Sequence, residues 1–408
     1  MKKLFAILLS LAMLLSLAAC GGETSTERVE EKAPAEEPAA GGEAAGDTIK
    51  IGMYTAMTGV NGGSGLCLID GVTMAMNEVN EAGGIDGRML ELITYDNAGS
   101  TEGSTKAVTR LIEEDGVQAI IGCFSTPNVV ACTDMCEEAK VLLLGNGTGL
   151  SWTNCGLDYT FRSTANAILP INTMIELMVD QGVGSTSLIS SESEYGQSGR
   201  ASITEGLAAA GIELKADLSY QSGDTDFTGI ITKALAAEAD TIILYGLGQE
   251  LAMLTKQTRQ NGYEGIIYTT ESAANVEMFT VAGPAADGVV FSATYIVPPT
   301  PEEAPTAMMQ ELLAEHYEWK GEMPYSDVIY RGYDAMSLLA EALKNCDDVN
   351  SGESIRNAFV ELSGIELMGG NFDYTDATGD GLGVANQYMI MDGKIHVYDK
   401  ATAAAWPG

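Results

Sequence analysis

Short apolar runs alternate with amphipathic segments along most of this chain. Ile49 to Tyr54 reads as a strand, and Leu68, Ile69, Val72, Ala75, Met76 and Val79 then recur at three- and four-residue spacing, one face of a helix. Leu90 to Tyr95 repeats the strand signal. Ser104 can cap a helix carrying Ala107, Val108, Leu111 and Ile112, and the continuous apolar run Val117 to Ile121 is of the kind buried on both faces of a parallel sheet. A helix over Val129 to Ala139 and a strand over Val141 to Leu144 continue the rhythm, which breaks near Arg162 to Pro170 and starts again. Helix Ile171 to Asp180, strand Ser187 to Ser190, helix Ala201 to Ala210, strand Ile212 to Ser219, helix Phe227 to Ala237 and strand Thr241 to Tyr245 follow in turn. Helix Glu250 to Asn261, ended by Gly262, leads to strands Ile266 to Thr269 and Val289 to Ala293. Parallel strands need long crossovers, so this β-α-β-α order predicts an α/β protein of two doubly wound parallel-sheet lobes. Two late helices, Ala304 to Trp319 and Ser326 to Lys344, can cover either sheet, and a turn-rich stretch around Asp373 to Gly383 follows them. Residues 48–165 with 298–368 are expected in the first lobe, and 166–297 with 369–400 in the second, joined by hinge crossings.

The first twenty residues break this pattern. Met1-Lys2-Lys3, a short uncharged and mostly apolar segment, and Leu17-Ala18-Ala19-Cys20 together describe a secretory signal, residues 1–19. The small residues before Cys20 resemble the lipobox, in which the thiol after the cut is acylated. The apolar segment is short for a membrane span, which needs about 20 apolar residues, and an uncleaved anchor would leave Cys20 without a role. Residues 20–46 are then a lipidated cysteine and a tether of Gly, Ala, Glu, Pro, Ser and Thr, too poor in apolar groups to fold. Such a chain reaches about 30 Å from its anchor.

The formal net charge is −36, with 57 acidic against 21 basic residues. That field repels nucleic acid and anionic lipid, and excludes nucleic-acid partners. Six cysteines follow Cys20, at 67, 123, 132, 136, 155 and 346. An even number outside the cytoplasm is compatible with disulfides, and equally with buried free thiols; Cys132 and Cys136 lie four apart on one helix, poor geometry for a bridge. With two histidines, His316 and His396, and no Cys-x-x-Cys, no metal site or cofactor is expected.

Candidate chemistry sits where predicted strands end, the place where open α/β sheets bind ligands. Gly145-Asn146-Gly147-Thr148-Gly149 follows strand Val141 to Leu144 and lacks the Gly-x-Gly-x-x-Gly spacing of a dinucleotide loop, so it suits a carboxylate, or else is a turn that needs glycine. Ser125-Thr126 follows Val117 to Ile121 and offers hydroxyls, or a helix cap. Glu271 ends strand Ile266 to Thr269, where a lone carboxylate can meet an ammonium, and Tyr195 follows Ser187 to Ser190. Asp373, Asp376 and Asp380 depart from the EF-hand spacing and read as turns. No Gly-x-Ser-x-Gly elbow or histidine lies near these hydroxyls, so an enzyme is not expected.

Taken together, these stretches resemble the type I periplasmic binding proteins, specifically the branched-chain amino-acid (Leu/Ile/Val) receptors of ABC importers. The resemblance runs from about Ile49 to Lys400. It rests above all on Asn80 followed by Gly83-Gly84-Ile85-Asp86-Gly87. Supporting it are Ile51-Gly52 through Met57-Thr58-Gly59, Tyr95-Asp96, Ile121-Gly122, Phe161-Arg162-Ser163, Tyr195-Gly196 and Asp224-Thr225-Asp226-Phe227. It implies a monomeric, two-lobed receptor, held at the outer face by its lipid, which closes on an amino acid and serves an importer permease. A Gram-positive surface is preferred to a periplasmic anchor, and a sensory receptor of the same fold, reporting an amino acid or amide to a membrane partner, is the alternative. By resemblance Ser125 and Thr126 bind the ligand carboxylate, Gly147 and Thr148 grip carboxylate and ammonium, Tyr195 covers the ligand, and Glu271 pairs with the ammonium. Ser64 and Gly248 stand where the branched-chain receptors carry aromatic residues, and enlarge or polarise the side-chain end of the site.

Overall fold

The computed structural model describes residues 48–59 and 61–399; the signal, Cys20 and the tether lie outside them. The first half of the body runs β1 (Ile49–Thr55), α1 (Gly62–Glu81), β2 (Leu90–Asp96), α2 (Thr101–Glu113), β3 (Ala119–Ile121), α3 (Thr126–Ala139), β4 (Leu142–Gly145) and β5 (Thr160–Arg162). These strands form one parallel sheet in the order β2-β1-β3-β4-β5. β4 is Leu-Leu-Leu-Gly and wholly buried, as a strand covered on both faces must be, whereas β2 at the sheet edge is only partly buried.

A second sheet grows from α4 (Leu169–Asp180), β6 (Ser185–Ser191), α5 (Glu194–Ala210), β7 (Glu213–Tyr220), α6 (Thr228–Ala236), β8 (Thr241–Tyr245), α7 (Gly248–Gln260), β9 (Ile267–Thr270) and β10 (Val289–Ala293). The chain returns to the first sheet for α8 (Ala307–Lys320), α9 (Val328–Asn345), α10 (Gly352–Phe359) and the hairpin β11 (Ser363–Leu367) and β12 (Gly370–Asp373). It ends on the second sheet with antiparallel β13 (Asn386–Met391) and β14 (Lys394–Val397). The seven-stranded order is β14-β13-β10-β9-β8-β6-β7.

Each sheet is buried on both faces. In the first, α1, α8, α9 and α10 cover one side and α2 and α3 the other; the second carries α6 and α7 opposite α4 and α5. Helix α9 packs on α1 through two glycines that let backbones touch. A Cβ on Gly71 would lie 1.9 Å from the Ile329 carbonyl, and one on Gly332 2.3 Å from that of Leu68.

One sequence expectation needs correction. Phe372, Tyr374 and Leu382 belong to the first lobe's core, so the last crossing falls between Leu382 and Asn386 and not at 369. The reason is the β11–β12 hairpin, which has no helical period and hides in a stretch that reads as turns. Of the two readings of the cysteines, the structure has free thiols at all six described positions. Burial pushes Cys132 up to about 11 and Cys123 up to about 12, which leaves them protonated and unreactive.

Candidate functional site

Both sheets share one strand order about their first strand, so each has a switch point: between β1 and β3 in one lobe, between β6 and β8 in the other. All eight candidate positions lie on segments that follow the carboxyl ends of strands flanking these points or one strand further on. Ser64 follows β1, Ser125 and Thr126 follow β3, and Gly147 and Thr148 follow β4; in the second lobe Tyr195 follows β6, Gly248 follows β8 and Glu271 follows β9.

In the first lobe the strand-end loops are locked together. The Gly149 N–H donates to the Thr126 Oγ1 at 2.9 Å, which leaves the threonine's own proton for another acceptor. Ser125 is the N-cap residue of α3, yet its side chain makes no capping bond. Gly145, Gly147 and Gly149 have no positive φ, so a turn does not explain them. Space does. A Cβ on Gly147 would sit 2.9 Å from the Thr126 Cα, one on Gly149 2.7 Å from its Cγ2, and one on Gly145 2.7 Å from the Trp152 ring. Gly147→Ala is therefore expected to separate Thr126 from the loop at a cost of about 1–3 kcal/mol, read as a lower melting temperature together with weaker ligand binding.

What orients this loop is a buried arginine. Arg162, with no side-chain exposure, donates to the Gly147 carbonyl, to the Gly149 carbonyl at 2.7 Å and to the Thr153 hydroxyl at 2.9 Å. Its Nε donates to Asp380 at 2.6 Å, and its guanidinium lies 4.3 Å from the Trp152 ring centre. Burial draws its pKa below the ordinary value while Asp380 pulls the other way. Because a trans peptide sets C=O and N–H in opposite directions, a Gly147 carbonyl turned to Arg162 turns the Thr148 N–H away from it. The result is a hydroxyl and a backbone N–H presented without a cation at the surface of the lobe, a donor set suited to a carboxylate.

The second lobe offers the complement. Tyr195, in the first turn of α5, stacks on Tyr245 with ring centres 4.7 Å apart and planes 6° apart, and its hydroxyl is 3.3 Å from the Thr270 Oγ1. Tyr245 fits because Gly199 has no side chain; a Cβ there would lie 2.0 Å from the ring. Glu271 follows immediately. The residue is exposed, yet burial of its carboxyl pushes its pKa up, its own backbone N–H and the Thr270 hydroxyl opposing that shift, with a smaller lowering from Arg331 of α9 and a smaller raising from Asp327. The Tyr195 phenol is raised by burial and then by Glu271. Glu271 thus answers electrostatically to Tyr195 and Tyr245 in its own lobe and to α9 of the other. Gly248 opens α7 with φ +49° and lines a concavity of about 460 Å³ with Ser191, Ser193 and Glu250. Ser64 is half-buried in the first turn of α1.

A knot of hydrogen bonds joins the crossings. The Asp334 carboxylate of α9 accepts from the Tyr295 hydroxyl at 2.9 Å, from the Gly369 N–H at 2.8 Å and from the Met368 N–H at 3.1 Å. Asn386 donates to the Thr294 and Met368 carbonyls, and the Tyr330 hydroxyl to Ile296.

Sequence reasoning missed Arg162, Asp380, Tyr245, Asp327, Arg331 and Asp334 as parts of the site and its supports. Only Arg162 carried a signal, as part of Phe161-Arg162-Ser163. Asp380 was read as a turn; the neighbouring Asp373 and Asp376 are indeed spent on Thr375 and Thr378.

A periplasmic binding protein family model matches residues 48–394, and the chain belongs to that family. The Leu-, Ile-, Val-, Thr- and Ala-binding protein of Pseudomonas aeruginosa is 25% identical over 82% of this chain and 88% of the relative. The leucine-specific-binding protein of Salmonella typhimurium is 24% identical over 73% of this chain and 79% of its own. Among solved structures, a putative branched-chain amino acid ABC transporter protein of Rhodospirillum rubrum superposes with a TM-score of 0.79 at 17% identity, covering 86% of this chain and all of that one. The branched-chain amino acid transporter substrate binding protein of Streptococcus pneumoniae, in complex with isoleucine, gives 0.60 at 23% identity, covering 86% and 99%. The fold is that of the type I periplasmic binding proteins.

Proposed function

We propose that this chain is the substrate-binding protein of an ABC importer, held outside the cytoplasm by a lipid on Cys20, and that it captures an α-amino acid between its lobes. The observation that carries this reading is the pairing of groups at the strand ends: the Thr126 hydroxyl, held by the Gly149 N–H beside the Thr148 loop, in one lobe, and the Glu271 carboxylate in the other. An α-amino acid carries the matching pair of ions on one carbon. Ser125, Thr126, Gly147 and Thr148 would take its carboxylate, Glu271 its ammonium, and Tyr195 would close over it, while Ser64 and Gly248 border the side-chain end. The relatives named for amino-acid binding support the same class of ligand. Closure follows because the strongest contacts exist only when both lobes meet one ligand, so binding shifts the hinge equilibrium. The tether would keep the receptor beside its permease at a Gram-positive surface.

A thermal-shift panel of amino acids, short amides and non-amine carboxylates tests this reading; stabilisation by the amine-free carboxylates alone would overturn it. Glu271→Gln should weaken binding by about 1.5–3 kcal/mol, roughly 10- to 100-fold. Unchanged affinity in a calorimetric titration would remove Glu271 from the ammonium site.

A further inference from the structure

Beside the first turn of α1, the first lobe carries an ion pair that the amino-acid clamp does not use. Asp327 precedes α9 and Arg331 lies one turn on; Nε and Nη2 of the arginine both donate to one carboxylate oxygen, Oδ2, at 3.0 and 2.6 Å. Only 19% of the arginine side chain and 34% of the aspartate are exposed. The pair cannot drift far, because α9 is seated backbone to backbone on α1 at Gly71 and Gly332. The first turn of α1, which holds Ser64, lies alongside: a Cβ on Gly63 would be 3.1 Å from the Tyr325 ring, two residues before Asp327. Both members of the pair act on Glu271, Arg331 by attraction and Asp327 by repulsion.

We propose that Asp327 and Arg331 are specificity-determining residues that select an α-amino acid whose side chain ends in a carboxamide. This rests on the reading of Glu271 as the ammonium partner. With the ammonium at Glu271, the rest of the ligand extends beside a fixed guanidinium and a fixed carboxylate. Their mutual bonds leave Nη1 of the arginine and Oδ1 of the aspartate outside the pair. An aliphatic side chain would strip water from both ions and return no hydrogen bond. A side-chain carboxylate satisfies Arg331 but faces Asp327 and Glu271; a second cation satisfies Asp327 but faces Arg331. A carboxamide offers an oxygen to the guanidinium and an N–H to the carboxylate without adding charge. Ser64, small and polar, leaves room for it.

The test is calorimetric titration of the full-length chain in detergent with glutamine, asparagine, glutamate, lysine and leucine, using the parent, Glu271→Gln and the double variant Asp327→Leu with Arg331→Leu. The parent is expected to bind glutamine or asparagine at least 10-fold more tightly than the other three, the difference of one charge-assisted hydrogen bond or more. The double variant should lose that preference and gain affinity for leucine, which also shows that it folds. Leucine, glutamate or lysine binding the parent as tightly as the amides would overturn the selection by this pair, as would a double variant that keeps the amide preference. Failure of the underlying reading looks different: no amino acid would bind the parent, or Glu271→Gln would bind them all unchanged.

Discussion

Replacing Arg162 with methionine is expected to be the most damaging single change in this protein, lowering its stability by about 3–5 kcal/mol and abolishing ligand binding at micromolar concentrations. The arginine is fully buried and makes four hydrogen bonds, to the Gly147 and Gly149 carbonyls, to Thr153 and to Asp380. Methionine fills the volume but leaves Asp380 without its counter-ion and two carbonyls without donors. Water or a backbone rotation must then satisfy those carbonyls, and rotation about the Gly147 peptide swings the Thr148 N–H out of place. Arg162→Lys should not rescue binding, because one ammonium cannot bridge the positions that the planar fork holds together. Thermal melts and calorimetry on the two variants check this; a lysine variant with parental affinity would show that the loop orients itself.

The second large effect concerns the hydrogen bonds at the crossings and is read in pH. Asp334 is fully buried, and burial pushes its carboxyl up to about 7, with the Gly369 N–H, the Tyr295 hydroxyl and the Met368 N–H opposing the shift. The group's ordinary value is 3.8. Between these values the unfolded chain has lost the proton and the folded one has kept it, so the folded state binds more protons and stability falls as pH rises across the window. Below about 4 and above about 7 this contribution is flat. Asp334→Asn, which keeps an acceptor and cannot ionise, should remove the slope; Asp334→Ala should instead destabilise at every pH, because each orphaned buried donor costs about 1–3 kcal/mol. Urea unfolding from pH 4.5 to 8 separates the three proteins. Parallel slopes for Asp334→Asn and the parent would exclude Asp334 as the titrating group.

Much of the architecture was legible in order and spacing. Val141 to Leu144 is apolar throughout and Thr241 to Tyr245 has an apolar centre, the pattern of short strands covered on both faces, and the helices between them carry one apolar face each. The β11–β12 hairpin was not legible, since its strands are short and half exposed. At the candidate site, Thr126, Gly147, Thr148, Tyr195 and Glu271 could be singled out because they follow strand ends. Residues that hold them could not. Arg162 meets Asp380 across more than two hundred positions of chain, and nothing in the local pattern of either announces the other.

The sequence alone determined that this chain folds as two doubly wound sheets with polar loops at their strand ends, because periodicity and turn chemistry act over a few residues and need no partner. The tertiary structure alone decided the rest. Gly147 and Gly149 are glycines because Thr126 presses on them, the Gly147 and Gly149 carbonyls are held by a buried cation, and Glu271 of one lobe feels Arg331 of the other. These are contacts between distant stretches, set by how the elements pack and how little water remains between them.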